Sequence, residues 1–310
     1  MHEKNVTFIS EVMLLGFQNL QNFRFLCFST FLMIYIATVS GNLLIITLVS
    51  YSKKLHSPMY FFLKHLSLSD LLLSTDIVPQ TLSMIINGPI TISFTSCLSQ
   101  FYFFSVFECS ECLLLTVMSY DRYSAICQPL HYNSVMNNTF CVKLVAMSWL
   151  LGFLIILIYT TTISLLDFCG PNVIDHFFCD YSPILALSCS DTSVVQLEVI
   201  FLGSMVLFLS FGVILVSYIY ILQVILKIPS ISGKHKAFST CSSHLTTVSL
   251  FYTTLFSIYV LPSGHFLSIS KIVSLLYTMG TPLVNPIIYS LRNKDIKEAF
   301  RKVVNWECPV

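Results

Sequence analysis

Four acidic side chains and one arginine stand in surroundings too apolar to hold them cheaply. Asp70, Glu108 and Glu111 lie within long apolar runs, and Asp121-Arg122 closes one of those runs inside Val117–Cys127. Ionisable groups in hydrocarbon are costly, and they are usually paired or functional. Asp70 and Glu111 can share a sodium ion, share a proton or bond to polar neighbours such as Asn42 and Asn285. An ion site that collapses on activation and a polar knot that only fixes packing are both open readings. Glu108 sits one turn before Glu111, on a neighbouring part of the same helix face. It can bind an amine, hydrogen-bond a ligand hydroxyl, or stay protonated against another helix. Asp121-Arg122 is either an anchor at a membrane interface or a charged latch on a signalling helix. His176-Phe177-Phe178-Cys179-Asp180 offers three metal-ligand types at short spacing, but a disulfide at Cys179 would withdraw the thiolate. Pro282, Asn285 and Pro286 interrupt the last apolar run, where proline permits a kink.

These groups have to be positioned by membrane helices. The 310 residues are 55% apolar and 10% charged, against about 25% charged in a soluble domain. A spanning helix needs roughly 20 mostly apolar residues. Seven stretches qualify: about 24–50, 58–86, 95–121, 140–165, 195–226, 237–262 and 272–292. Breaks such as Asn87-Gly88-Pro89, Gln128-Pro129 and Pro262-Ser263-Gly264 separate them, and a long loop from Asp167 to Val194 parts the fourth from the fifth. The expected fold is an all-α bundle of seven transmembrane helices. It divides into an extracellular N-terminus (1–23), the seven-helix domain (24–292) and a cytoplasmic tail (293–310). In that tail Asn293 to Val304 forms a short amphipathic eighth helix with Ile296, Ala299, Phe300 and Val303 on one face.

Basic residues set the orientation. Lys53, Lys54, Lys64, Arg122, Lys143, Lys227, Lys234, Lys236, Arg292, Lys294, Lys297, Arg301 and Lys302 fall on one side; Lys4, Arg24 and Lys271 fall on the other. That 13-to-3 split puts the N-terminus outside and the C-terminus inside. The N-terminus lacks a basic-then-apolar signal peptide, so the first apolar segment is expected to direct its own insertion. Asn5-Val6-Thr7 is a glycosylation sequon on the outer side, whereas Asn137-Asn138-Thr139 falls inside and should be idle. Cys97, Cys169, Cys179 and Cys189 form an even set on the oxidising side, for which three pairings are possible.

Several functions are excluded or disfavoured. There is no HExxH, P-loop, nucleotide-type GxGxxG or nucleophile–base constellation, so no enzyme is expected. No basic stripe with interleaved aromatics suggests nucleic acid. A channel or transporter is disfavoured by the single Asp-Arg pair, the cysteine-rich outer loop and the lack of internal repeats.

Longer motifs add a resemblance. They are Gly41-Asn42, Leu55-His56-Ser57-Pro58-Met59-Tyr60-Phe61-Phe62-Leu63 with Leu66-Ser67 and Asp70, and Met118-Ser119-Tyr120-Asp121-Arg122-Tyr123. Further on come Ser217-Tyr218, Lys236 to Leu245, and Pro282 with Asn285-Pro286 through Tyr289 to Asn293. In this order, over nearly the whole chain, they resemble a vertebrate odorant receptor of the rhodopsin-like G-protein-coupled class.

The resemblance implies disulfides Cys97–Cys179 and Cys169–Cys189. It implies coupling through Asp121, Arg122, Tyr123, Tyr218, Lys236, His244, Asn285, Pro286 and Tyr289 to a heterotrimeric G protein of the stimulatory olfactory type, with a rise in cyclic AMP. It implies no cofactor beyond the sodium ion considered at Asp70 and Glu111, and a site in the plasma membrane of olfactory cilia, in contact with lipid. The pocket for a small odorant would lie in the outer half of the bundle. Projected by helical register, its walls are Phe104, Ser105, Glu108, Cys109, Leu202, Val206, Tyr252, Leu255, Phe256, Tyr259 and Thr278. Each methylene buried there contributes roughly 0.8 kcal/mol, so an odorant of about ten heavy atoms reaches micromolar affinity. The chain departs from the family at Ser119, Ser124, Thr253, the Thr281–Val284 lead-in to Asn285-Pro286 and, with most bearing on ligand choice, Glu108.

Overall fold

The computed structural model describes residues 9–18, 23–169, 171–260 and 267–306. Asn5 lies outside them, as do the side chains of Lys236 and Tyr259. Helices α1 (Arg24–Tyr51), α2 (Pro58–Asn87), α3 (Phe94–Cys127) and α5 (Asn138–Ser164) are long, and the short α4 (Tyr132–Val135) joins the last two. The outer loop carries α6 (Tyr181–Leu185). Then α7 (Ser193–Glu198) runs through a π turn at Val199–Gly203 into α8 (Ser204–Lys227). After α9 (Ile231–Val260), α10 (Leu267–Leu275) passes through a second π turn, Leu276–Gly280, into α11 (Thr281–Arg292), and α12 (Lys294–Trp306) follows. Among the described residues, five segments are apolar and long enough to cross a membrane: α1, α3, α5, α7–α8 and Lys271–Ser290.

Helices α2 and α9 are as long but richer in polar residues. Their hydroxyls are largely absorbed by their own backbones: Ser74 Oγ donates to Asp70 O (2.7 Å), Thr81 Oγ1 to Ile77 O (3.0 Å) and Thr246 Oγ1 to Ser242 O (2.7 Å). Such back-bonding removes the cost of carrying hydroxyls where water is absent. Apolar side chains also point outward, among them Leu150, Leu154 and Leu157 on α5 and Phe208, Leu209 and Val216 on α8. An outward apolar belt of this kind suits lipid as its solvent.

Helix α3 is the axis of the bundle, packed against α2, α5, α8 and α9. Gly152 lets α5 approach it closely: a Cβ there would sit 2.6 Å from Ser110 Oγ and 3.2 Å from the Val106 carbonyl. Caps start both helices, Ser93 Oγ accepting from the Ser96 amide (3.1 Å) and Asn137 Oδ1 from the Phe140 amide (2.9 Å). The inner sequon asparagine thus serves as a helix cap.

The break before α11 is more than a proline kink. Pro286 has no N–H to give the Pro282 carbonyl four residues earlier, and that carbonyl accepts instead from Asn42 Nδ2 on α1 (3.0 Å). Gly41 makes the approach: a Cβ there would lie 3.1 Å from the Pro286 ring. Helix α12 packs on α1 and the Lys53–Leu55 turn with Ile296 and Ala299 buried, and the Tyr60 hydroxyl at the start of α2 lies 3.0 Å from both Asn293 Oδ1 and Asp295 Oδ2. Phe300 is half exposed on its outer side.

One feature of the outer end departs from the all-α expectation. Strands β1 (Glu11–Leu14), β2 (Ile90–Ser93) and β3 (Val173–Ile174) form a sheet ordered β2-β1-β3, antiparallel then parallel. The segment before the first helix is therefore the middle strand of a lid. Val12 and Leu14 turn inward, and Phe17 stacks on Phe177 (5.2 Å). Disulfides Cys97–Cys179 and Cys169–Cys189, with Cα separations of 5.4 and 5.9 Å, fasten the loop beneath and beside it. Lys271 on α10 closes the arrangement by donating to Gly16 O (2.9 Å) and pairing with Asp175 (2.5 Å). Lys271→Ala should speed hydrogen exchange at the Met13, Leu15 and Gly16 amides, which bond to Asn172, Ile174 and His176 carbonyls, while leaving exchange in α3 unchanged. Equal exchange in mutant and wild type would mean that the sheet holds without the lysine.

Candidate functional site

At the end of α3, Arg122 folds back on its neighbour. Its Nε donates to Asp121 Oδ2 at 3.0 Å and its Nη2 to the same oxygen, while Tyr132 on α4 donates to Asp121 Oδ1 at 2.8 Å. Both carboxylate oxygens are used, and both residues of the pair are buried. A pair removed from solvent in this way is costly to break one-sidedly. The end of α9 is close by, with Cys241 near Arg122. Tyr123 packs between Tyr120 and Tyr220 at ring separations of 6.3 and 5.9 Å.

Two turns above, three helices are tied by one ring. His244 Nε2 contacts the Leu115 carbonyl (3.1 Å), and His244 Nδ1 contacts Tyr218 Oη (2.6 Å). A carbonyl only accepts, so Nε2 carries the hydrogen, Nδ1 is bare and the Tyr218 hydroxyl donates. The bridge joins α3, α8 and α9. Tyr289 lies fully buried in the same core cluster.

Around the middle of the bundle, Asn285 Nδ2 donates to both oxygens of Asp70 at 3.1 Å. Glu111 is within hydrogen-bonding reach of Asp70. Two carboxyl groups brought together in apolar surroundings must share a proton or a cation. Glu111 Oε1, Asn42 Oδ1 and Asn285 Oδ1 are buried without a hydrogen-bond partner. Among the described residues, no group of three or more His, Cys, Asp or Glu side chains gathers as a metal site.

A second three-helix tie lies beside this polar cluster. Tyr252 donates to Ser210 Oγ (2.7 Å), and Cys112 Sγ touches both Ser210 Oγ (3.1 Å) and Tyr252 Oη (3.4 Å). Tyr252, projected onto a pocket wall, therefore has its hydroxyl engaged between helices.

In the outer half, a cavity of about 10 Å³ is lined by Leu73, Glu108, Glu111, Phe251, Thr254, Leu255, Tyr277 and Thr281. That is room for about one water-sized group. Of the projected pocket residues, Glu108 and Leu255 reach it. Phe104 is buried against Phe178 (5.1 Å) and Tyr277 (5.6 Å), and Thr278 is buried with its hydroxyl on the Ser274 carbonyl (2.7 Å). Ser105, Cys109, Leu202, Val206 and Phe256 are half-buried. A larger crevice, about 470 Å³, opens sideways between α3 and α8, lined by Tyr120, Tyr123 and Tyr220 with Phe208 and Gly212, and includes none of the projected residues.

Asp180, just after the disulfide at Cys179, lies close enough for its charge to act on Glu108. It caps α6 through the Tyr181 amide (2.8 Å), and burial pushes its pKa up to about 6. His176 packs on Phe177 and Phe178, and burial with the nearby Lys271 charge pushes its pKa down to about 4. With Cys179 in a disulfide, the thiolate needed for metal binding beside His176 is gone. Leu73, Thr254 and Tyr277 were not singled out from sequence; Thr281 was noted only as a departure from the family, and Asp180 only as a potential metal ligand.

Comparison with known proteins agrees with this arrangement. A family profile described as "Olfactory receptor" matches residues 31–306. Olfactory receptor 11L1 of Homo sapiens is 47% identical over all of this chain and 97% of its own length. Olfactory receptor 1468 of Rattus norvegicus is 45% identical and olfactory receptor 5G29 of Mus musculus 47%, each covering 98% of this chain and 97% of the relative. The chain belongs to the olfactory receptor family, whose members are multi-pass membrane receptors for odorants, work through G proteins and are not enzymes.

Proposed function

We propose that the protein is a seven-span odorant receptor with its N-terminus outside and its C-terminus in the cytosol. An odorant held in the outer half of the bundle activates a stimulatory, olfactory-type G protein and raises cyclic AMP. One observation carries this reading: a single buried helix, α3, holds Glu108 beside the outer cavity and Asp121-Arg122 at the other end. Fourteen residues separate Glu108 from Arg122, about 21 Å along the helix. The basic-residue asymmetry supports the orientation. So does the position of both disulfides on the side of the N-terminal lid, where oxidising conditions allow them.

In this reading the Leu115–His244–Tyr218 bridge and the Asp121–Arg122–Tyr132 cluster hold the cytoplasmic end closed. The G protein gains access when α8 and α9 part from α3 and free Arg122, with Tyr123, Lys236, Asn285, Pro286 and Tyr289 contributing to the rearrangement. Asn5 carries a glycan on the outer face, and the receptor works in the plasma membrane of sensory cilia. A cyclic AMP reporter in cells expressing the chain at the surface, screened with an odorant panel, tests the proposal. Arg122→Ala should abolish the evoked signal. Tyr218→Phe, which removes a hydrogen bond worth about 1 kcal/mol, should raise basal cyclic AMP roughly fivefold. A ligand-evoked current that survives Arg122→Ala and loss of the G protein would point to a channel instead.

Asp70 and Glu111, with Asn285, are proposed to hold a sodium ion in the resting receptor. Raising sodium should then lower agonist potency in the wild type and have little effect in Glu111→Gln. An identical sodium response in the two would leave the cluster a polar knot that fixes packing.

A further inference from the structure

Among the described residues Glu108 has no counter-ion. The ion pairs among the described residues join Lys54 to Asp295 and Glu298, Arg122 to Asp121, Lys271 to Asp175, and Lys302 to Glu298. None reaches Glu108. Its charged neighbours are acids: Asp180 in the loop on one side, and Glu111 one helical turn deeper on the other. With Asp70 next to Glu111, a row of four carboxyl groups runs from the loop to the middle of the bundle, and among the described residues no cation stands between them. Glu111 is 2% exposed and its Oε1 has no partner. It lines the same cavity as Glu108, whose other walls are the hydroxyl-bearing Thr254, Thr281 and Tyr277 and the apolar Leu73, Phe251 and Leu255.

We propose that this site takes the ammonium head of a small lipophilic amine, and that Glu108 is the residue that selects it. A row of acids in low dielectric favours a positive charge far more than it would in water. An ammonium presents three donors, which the Glu108 carboxylate, Glu111 Oε1 and a threonine hydroxyl can accept. The head is about the size of a water molecule, so the cavity suits it. The apolar tail extends among the half-buried side chains of the outer pocket, where burial supplies affinity with little specificity. An alcohol or ketone of the same skeleton fills the same space but brings no counter-charge. A carboxylate is repelled.

The inference rests on the odorant-receptor reading for the location of the pocket, and its test separates the two. The full-length receptor in lipid nanodiscs is titrated at neutral pH with hexylamine, cyclohexylamine and 2-phenylethylamine and with the matching alcohols, binding being read from thermal stabilisation. At least one amine should bind about tenfold or more tightly than its alcohol, the scale of one charge-assisted contact. Glu108→Gln should erase that preference, Glu108→Asp should keep part of it, and Asp180→Asn should reduce it. If no amine outbinds its alcohol, or no amine binds, the proposal fails. A preference that survives in folded Glu108→Gln also overturns it. Should Glu108→Gln not fold, the wild-type comparison and Asp180→Asn decide. Alcohols that raise cyclic AMP without any amine preference would sink the amine site and leave the receptor reading intact. Amine binding without a cyclic AMP response would do the reverse.

Discussion

Every polar group inside this bundle has to find its partner without help from water, and the positions of several short motifs follow from that requirement. Pro286 withholds the N–H that the Pro282 carbonyl would use, and an unpaired carbonyl in hydrocarbon costs several kcal/mol. Asn42 supplies the missing donor from α1. It can do so because Gly41 lets the two helices touch at the proline ring. Three residues from two ends of the chain thus solve one local problem. The second π turn, just before Thr281, widens the same helix where the prolines prevent regular bonding. A break satisfied from a neighbouring helix gives the seventh stretch a place to bend without losing a bond.

The same constraint assigns roles to the buried side chains along α3. Asp121 spends both oxygens on Arg122 and Tyr132. His244 spends both ring nitrogens on Leu115 and Tyr218, which fixes its tautomer and couples three helices at once. Cys112, Ser210 and Tyr252 close a third set. Other buried atoms are left without a partner at both ends of the bundle: Ser124 Oγ and His65 Nδ1 toward the Asp121-Arg122 end, and Glu111 Oε1 beside the cavity where, among the described residues, Glu108 also has no counter-ion.

Much of this was legible in the residues. The apolar runs located the long helices, missing the end of α3 and the start of α9 by six residues each, and Asp70, Asn285 and Glu111 were picked out because polarity in such runs is expensive. Asn42 was recognised as polar, but its partner, the backbone carbonyl of Pro282, is invisible to residue types. The four outer cysteines left three pairings open, and the resemblance selected the two that the structure contains. Tyr252 was misleading for a physical reason: helical register gives the direction of a side chain, not whether its hydroxyl is already engaged. The lid sheet was missed because strands of two to four residues carry too little alternation to register, and because their stability comes from pairing across long sequence distances. Asp180 was read as a metal ligand beside Cys179, and only the disulfide that draws the loop over the bundle brings it to Glu108.

The lid has a consequence for the beginning of the chain. Glu11–Leu14 is the central strand of its sheet, with Ile90–Ser93 on one side and Val173–Ile174 on the other. Removing it would expose two unpaired edges and open a hole above Phe177, because the outer strands touch each other only through it. Among the described residues the lid is already tied down at Ser10, whose carbonyl receives the Phe94 amide at the start of α3. A chain shortened to the start of α1 would keep every long helix and lose the strand on which both of its sheet neighbours pair.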